Sequence, residues 1–115
     1  MRSEEKTLNE RQAEFTSKLA ELIMRANLEG IKVSLRDVRR TPEEQHRRVQ
    51  EGTSMTMGSK HLLSLAADLV VIKDRMAVLK DCEEYHRLGE IWEMLGGIWG
   101  GTWSQFKDIF HFEWK

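Results

Sequence analysis

One cysteine and one proline, Cys82 and Pro42, are all that this chain of 115 residues carries of either type. A lone thiol cannot build an intramolecular disulfide framework, and it fits a reduced, cytosol-compatible protein. No base lies near Cys82 in sequence to activate it, so its expected use is packing near a helix start rather than nucleophilic attack. Long apolar runs are missing too, and none approaches the ~20 residues needed to span a bilayer. Residues 1–14 are polar and hold no hydrophobic signal core. Charge of one sign is not in excess: the net charge of −1 leaves no electrostatic footprint for nucleic acid. It also leaves too little cationic character to hold an anionic cell envelope by charge alone. There is no internal repeat, linker or low-complexity tail.

What is present describes a globular protein. Hydrophobic residues make up 40% and charged residues 32%, a balance that separates the chain from disordered and membrane proteins. Its length suits one domain with one core, residues 1–115. Within it, residues 1–30 form an N-terminal helical segment and residues 31–115 the working part.

Periodicity places the elements. Leu8, Gln12, Phe15, Leu19, Leu22, Ile23 and Ala26 recur at helical spacing over residues 7–29, and Gly30 supplies the stop. Ile31, Val33 and Leu35 alternate with polar partners, which predicts a half-buried strand to about Val38. Thr41, Pro42 and Glu44 announce a second helix: hydroxyl cap, proline in the first turn, glutamate closing a capping box. That helix ends near Gly52, and a loop over residues 52–60 follows, with Met55 and Met57 placed to pack or to line a groove. Ala66 to Ile72 reads as a buried strand. Asp81 to Leu95 reads as a third helix, with Asp81 and Glu84 in capping-box positions and Leu88, Ile91, Trp92 and Leu95 inward. Gly96-Gly97 ends it, and Gly100-Gly101 makes a tight turn between Trp99 and Trp103. Phe110, Phe112 and Trp114 alternate with His111 and Glu113 in a terminal strand. The expected class is α+β, a small antiparallel sheet with helices packed on one side and the site in a cleft over the sheet.

His61, Asp68 and His111 are the residues with chemistry to offer. Two imidazoles and a carboxylate beside strand-like runs can supply three protein ligands, the number a catalytic zinc uses with a fourth position open. Asp108, three residues before His111, tethers a second carboxylate nearby. The bland alternative is a strand-end aspartate with structural histidines, and spacing alone does not decide between them. His46 and His86 fall on polar helix faces, where solvation is expected.

Three ordered segments carry a family resemblance: Arg40-Thr41-Pro42-Glu43-Glu44-Gln45, then Ser59-Lys60-His61 through Ala66-Ala67-Asp68-Leu69, then Asp108-Ile109-Phe110-His111-Phe112-Glu113. Over residues 31–115 the chain resembles the small zinc peptidases of bacterial cell-wall peptides, the D-alanyl-D-alanine carboxypeptidase and L-alanyl-D-glutamate endolysin group. The resemblance implies a zinc ion on His61, Asp68 and His111, with Asp108 as general base. It implies Arg40, rather than the adjacent Arg39, as the cation that steadies the oxyanion. Ser59, Gln45 and Glu113 would support the ligands or touch substrate. Trp99 and Trp103, flanking the glycine turn, are both placed to wall the cleft or, as tryptophans more often do, to pack in the core. The departure is Ser64, where the family has glycine, so that loop is expected to take a path a side chain tolerates.

The implied activity is hydrolysis of peptidoglycan stem peptides by a monomer that needs no nucleic acid and no transmembrane segment. Asp-x-x-His resembles the phage branch, which favours an L-alanyl-D-glutamate endopeptidase, held in the cytoplasm until it is released to the wall. The alternatives are a D-alanyl-D-alanine dipeptidase or carboxypeptidase with the same metal, and a non-catalytic zinc-containing binding module.

Overall fold

The computed structural model describes residues 5–52 and 59–115, so Met55 and Met57 lie outside the described residues. Helix α1 runs Leu8–Leu28. It begins where Thr7 accepts from the Glu10 amide and the Glu10 carboxylate accepts from the Thr7 amide, each at 3.1 Å, so two orphan donors are satisfied at once. Phe15, Leu19, Leu22 and Ala26, spaced four, three and four apart, are its buried stripe. Gly30, at φ 83°, then turns the chain into strand β1, Lys32–Asp37. Helix α2, Pro42–Gln50, starts at the expected Thr41 cap, but Glu44 lies against Arg48 at 3.6 Å rather than closing a capping box.

After a short 3-10 turn at Lys60–Leu63, strand β2 covers Ala66–Lys73. Strand β3, Met76–Val78, folds back on it through Asp74 and Arg75, which have φ 51° and 68°. Two successive left-handed residues make the hairpin turn that matches strand twist. Helix α3 is Glu83–Met94, and its cap differs from expectation. Cys82, not Asp81, occupies the cap and makes no side-chain capping bond, while the Asp81 carboxylate lies 2.9 Å from His86. Strand β4, Ile98–Trp99, a 3-10 turn at Gly100–Thr102 and strand β5, His111–Glu113, complete the chain.

The sheet order is β1-β2-β5-β4, with β3 beside β2, and every pairing is antiparallel. Helices α1 and α3 cover one face. Phe15 meets Trp92 edge-on at 6.0 Å, and Trp92 donates its indole N–H to the Glu113 carbonyl at 3.0 Å. From the sheet, Ala67, Leu69, Val71 and Phe112 enter this core. Period-two alternation then sends Asp68, His111 and Glu113 to the opposite face. No helix among the described residues is long and apolar enough to cross a membrane.

Ser64 does not divert its loop. It sits at φ 54°, ψ 41°, in the left-handed region, with its amide bonded back to His61 and Lys60 carbonyls. A left-handed non-glycine residue carries a steric penalty that glycine escapes. Ser64→Gly is therefore expected to stabilise the chain by about 0.5–1 kcal/mol after the entropy glycine adds to the unfolded state. Thermal melting checks this, and a variant that melts lower than the parent would mean the loop is not strained.

Candidate metal centre

Asp68 and His111 stand directly opposite each other in the β2–β5 ladder. His61 joins them from the 3-10 turn, whose path several bonds fix. Ser59 accepts from the His61 amide at 3.2 Å, the Arg40 amide donates to the His61 carbonyl at 3.2 Å, and Gln12 of α1 donates to the Leu63 carbonyl at 2.7 Å. Asp68 Oδ1 lies 3.4 Å from His61 Nε2 and 3.7 Å from His111 Nδ1, and the three donor atoms lie within 4.8 Å of one another.

The remaining ring nitrogens set which atom each histidine offers. His61 Nδ1 is 3.0 Å from the Val38 carbonyl, which can only accept, so this nitrogen carries the hydrogen and Nε2 presents its lone pair. His111 Nε2 is 2.8 Å from Glu113 Oε1, which turns Nδ1 toward Asp68. His61 and His111 thus offer different nitrogens to one point. His61 Nε2 and Asp68 Oδ1 are buried and make no hydrogen bond. Orphaned buried polar atoms are costly and call for an explanation. Two imidazole nitrogens and a carboxylate oxygen suit a first-row divalent metal, so the donor set fits such an ion.

Charge is finely divided here. Burial alone would raise the Asp68 pKa, but contacts with His111 and His61 outweigh it and hold the carboxylate well below its usual range. Burial alone would lower the His111 pKa, but Asp68 and Glu113 prevail and push it up to about 9. Asp108 is raised, by burial first and then by the charge of Asp68, against the pull of the Phe110 amide that its Oδ1 accepts at 3.0 Å.

Arg40 is 7% exposed whereas Arg39 is exposed, so Arg40 is the arginine that faces inward. Its Nη1 donates to Gln45 Oε1 at 2.8 Å and its Nη2 lies 3.8 Å from Asp68 Oδ2. Trp103 packs its ring 5.1 Å from that of His111, on the site, while Trp99 is buried in the core and donates to the Ile109 carbonyl. Ser59 is placed as the cap of the 3-10 turn. His46 is exposed as expected; His86 is not merely solvated, since it bonds Asp81 and meets Trp99 edge-on at 5.2 Å. Asp37 is the neighbour that sequence reasoning missed. Its Oδ2 accepts from Arg40 Nε at 3.0 Å, and an acid at a strand end gives no signal of that before folding.

The profile of the D-alanyl-D-alanine carboxypeptidase family matches residues 52–114, more than half of the chain, and the chain belongs to that family. The L-alanyl-D-glutamate peptidase of Listeria phage A118 is 35% identical over 89 residues. That match takes in 73% of this chain but only 31% of the relative, so the chain spans less than half the length of the curated protein it resembles. The crystal structure of the Serratia marcescens L-Ala D-Glu endopeptidase ChiX superposes with a TM-score of 0.71 at 24% identity. It covers 93% of this chain and 85% of that one, and so shares the fold.

A metal ion here competes with a proton for His111, because only the unprotonated nitrogen can ligate and the raised pKa favours the proton. Metal binding at pH 7 is expected to release about one proton per ion and to weaken as pH falls below about 9. Calorimetry in buffers of different ionisation enthalpy reads this directly; zero release would mean His111 is already neutral. The sign for folding runs the other way. A raised histidine pKa stabilises the metal-free chain fully below its ordinary 6.5 and ceases to do so as pH rises through about 9, so the metal-free melting temperature is expected to fall across that window.

Proposed function

We propose that this chain is a zinc-dependent peptidase that hydrolyses peptidoglycan stem peptides between L-alanine and D-glutamate. The observation that carries the reading is the convergence of His61 Nε2, Asp68 Oδ1 and His111 Nδ1 on one face of the sheet, with the Asp108 carboxyl one turn away in sequence. Family membership and the names of the phage and Serratia proteins support the substrate class. Every group the reading needs comes from one chain, so the proposed active unit is a monomer.

His61, Asp68 and His111 would hold the ion, and Glu113 would fix the His111 ring by accepting from its other nitrogen. When bound, zinc would supply Lewis acidity to the scissile carbonyl and to the attacking water. Asp108 takes the proton of that water as its oxygen bonds to the carbonyl carbon. Its raised pKa makes it a better proton acceptor than an ordinary aspartate. The carbonyl oxygen gains negative charge, and the Arg40 guanidinium is the nearby cation to steady it. As the C–N bond breaks, Asp108 returns the proton to the leaving amine. Trp103, half-buried beside His111, forms a flat wall against which substrate can lie.

Cleavage of a terminal D-alanyl-D-alanine bond is the second reading, favoured by the description of the matched family. Digesting peptidoglycan and sequencing the fragments by mass spectrometry separates the two. A new amino terminus on D-glutamate supports the first reading, release of D-alanine supports the second, and undigested wall refutes both.

His61→Ala, Asp68→Ala and His111→Ala are each expected to lose both bound zinc and activity, since three ligands leave no redundancy. Asp108→Asn preserves size but cannot take a proton. It is expected to keep zinc near one per chain while turnover drops by ~10²–10⁴-fold. Metal analysis beside the rate assay distinguishes the two behaviours, and wild-type turnover in Asp108→Asn would move the role of base to Glu113.

A further inference from the structure

Asp37 and Asp68 face each other as partners in the β1–β2 ladder, just past the irregularity between Leu35 and Asp37. Like charges directly opposite on neighbouring strands repel. The cation between them is Arg40, with Nε 3.0 Å from Asp37 Oδ2 and Nη2 3.8 Å from Asp68 Oδ2. Gln45 takes the third nitrogen at 2.8 Å. One turn along α2 from Gln45, Arg48 reaches the same Asp37 oxygen at 3.2 Å. The side chains of Arg40 and Asp37 are 8% and 20% exposed, so solvent screens their pairing weakly.

We infer that Asp37 is a positioning residue: it anchors the Arg40 guanidinium so that Asp68 keeps Oδ1 for a metal while Oδ2 faces Arg40. This rests on the zinc reading of the site above. The guanidinium is planar and its three nitrogens meet three different side chains, so its orientation is set by all of them. Two carboxylates divide its single charge. Without Asp37, that charge falls on Asp68 alone, and Arg40 competes with the metal for the carboxylate. Asp37 is outside the His61, Asp68 and His111 group; its side chain pairs with Arg40 and Arg48, and of these Arg40 is the one that reaches Asp68.

The test is a double-mutant cycle on zinc affinity, read by competition with a chromophoric chelator, which needs no substrate. Asp37→Asn is expected to weaken zinc by about tenfold or more while stoichiometry stays at one, the scale typical of groups that support ligands. In the Arg40→Gln background, the same change is expected to leave zinc affinity within about twofold, because the competitor is gone. In peptidoglycan digestion, kcat is expected to fall more than KM rises. If Asp37→Asn does not fold, Asp37→Glu keeps the charge but displaces the carboxylate, and the same dependence on Arg40 is expected. A folded Asp37 variant with parental zinc affinity overturns the inference. An equal loss in both backgrounds also overturns it, since a purely structural role predicts that. A chain that obeys the cycle yet leaves peptidoglycan intact keeps this inference and refutes the proposed activity. A chain that cuts normally with Asp37→Asn does the reverse, and one that binds no zinc refutes both.

Discussion

The pairing of Asp68 with His111 across β2 and β5 is the contact on which the rest of the site depends. Both strands are short there, and only three residue pairs define the register. A slip of one residue would turn every side chain to the other face, sending His111 into the core and Phe112 out. The core forbids that. Phe112, Ala67 and Leu69 are buried in the core under α1 and α3, and Trp92 of α3 bonds the Glu113 carbonyl. The hydrophobic effect therefore sets the register, and the register delivers a carboxylate and an imidazole to one point. A polar centre with unsatisfied atoms is tolerated because an apolar face on the other side of the same strands holds it in place.

Much of this was legible because periodicity and alternation report burial. The α1 stripe, the Ala66 run and the alternation through Phe110, Phe112 and Trp114 were readable at once, and they place the core face and hence its complement. Thr41 was a readable cap for the same local reason. What stayed hidden rests on tertiary competition. Asp81 reads as the cap of α3, but the helix starts one residue later, with Cys82 at the cap, and the Asp81 carboxylate lies beside His86 and Lys107 instead. The β2–β3 hairpin turns on Asp74-Arg75, without the glycine or asparagine that usually marks such a turn, so β3 left no trace. Ser64 holds a left-handed conformation that its side chain disfavours, which no propensity would assign to it. Asp37 is invisible for a further reason: its meaning lies in a ladder partner thirty-one residues away.

The two halves of the site are rigid in different ways. Asp68 and His111 belong to a sheet and are fixed by strand pairing, whereas His61 belongs to a turn. That turn is tied to α1 by Gln12 and to the segment after β1 by Val38 and Arg40, and the Leu65 amide on the Lys60 carbonyl closes its exit just before β2. Precision of this kind matters because ligand distances must hold to a few tenths of an ångström for a metal to be kept.

The three-residue spacing between Asp108 and His111 has a backbone cause. The His111 amide donates to the Asp108 carbonyl at 3.3 Å, so the chain makes one tight turn between the two side chains. Within it the Phe110 amide donates to Asp108 Oδ1 and orients the carboxyl, while the Asp108 amide donates to the Gly100 carbonyl at 3.0 Å. Gly100 has to be glycine, since a Cβ there would come within 2.5 Å of the Asp108 carbonyl oxygen. The loop bearing Asp108 is thereby pressed onto the 3-10 turn after β4, whose own Trp99 is locked into the core. Strand pairing places Asp68 and His111 opposite each other, and this packed turn places the Asp108 carboxylate near them. The same burial and the nearby Asp68 charge that raise its pKa follow from that placement. Position and basicity thus have one physical origin, the close approach of a backbone turn to a glycine that has no side chain to resist it.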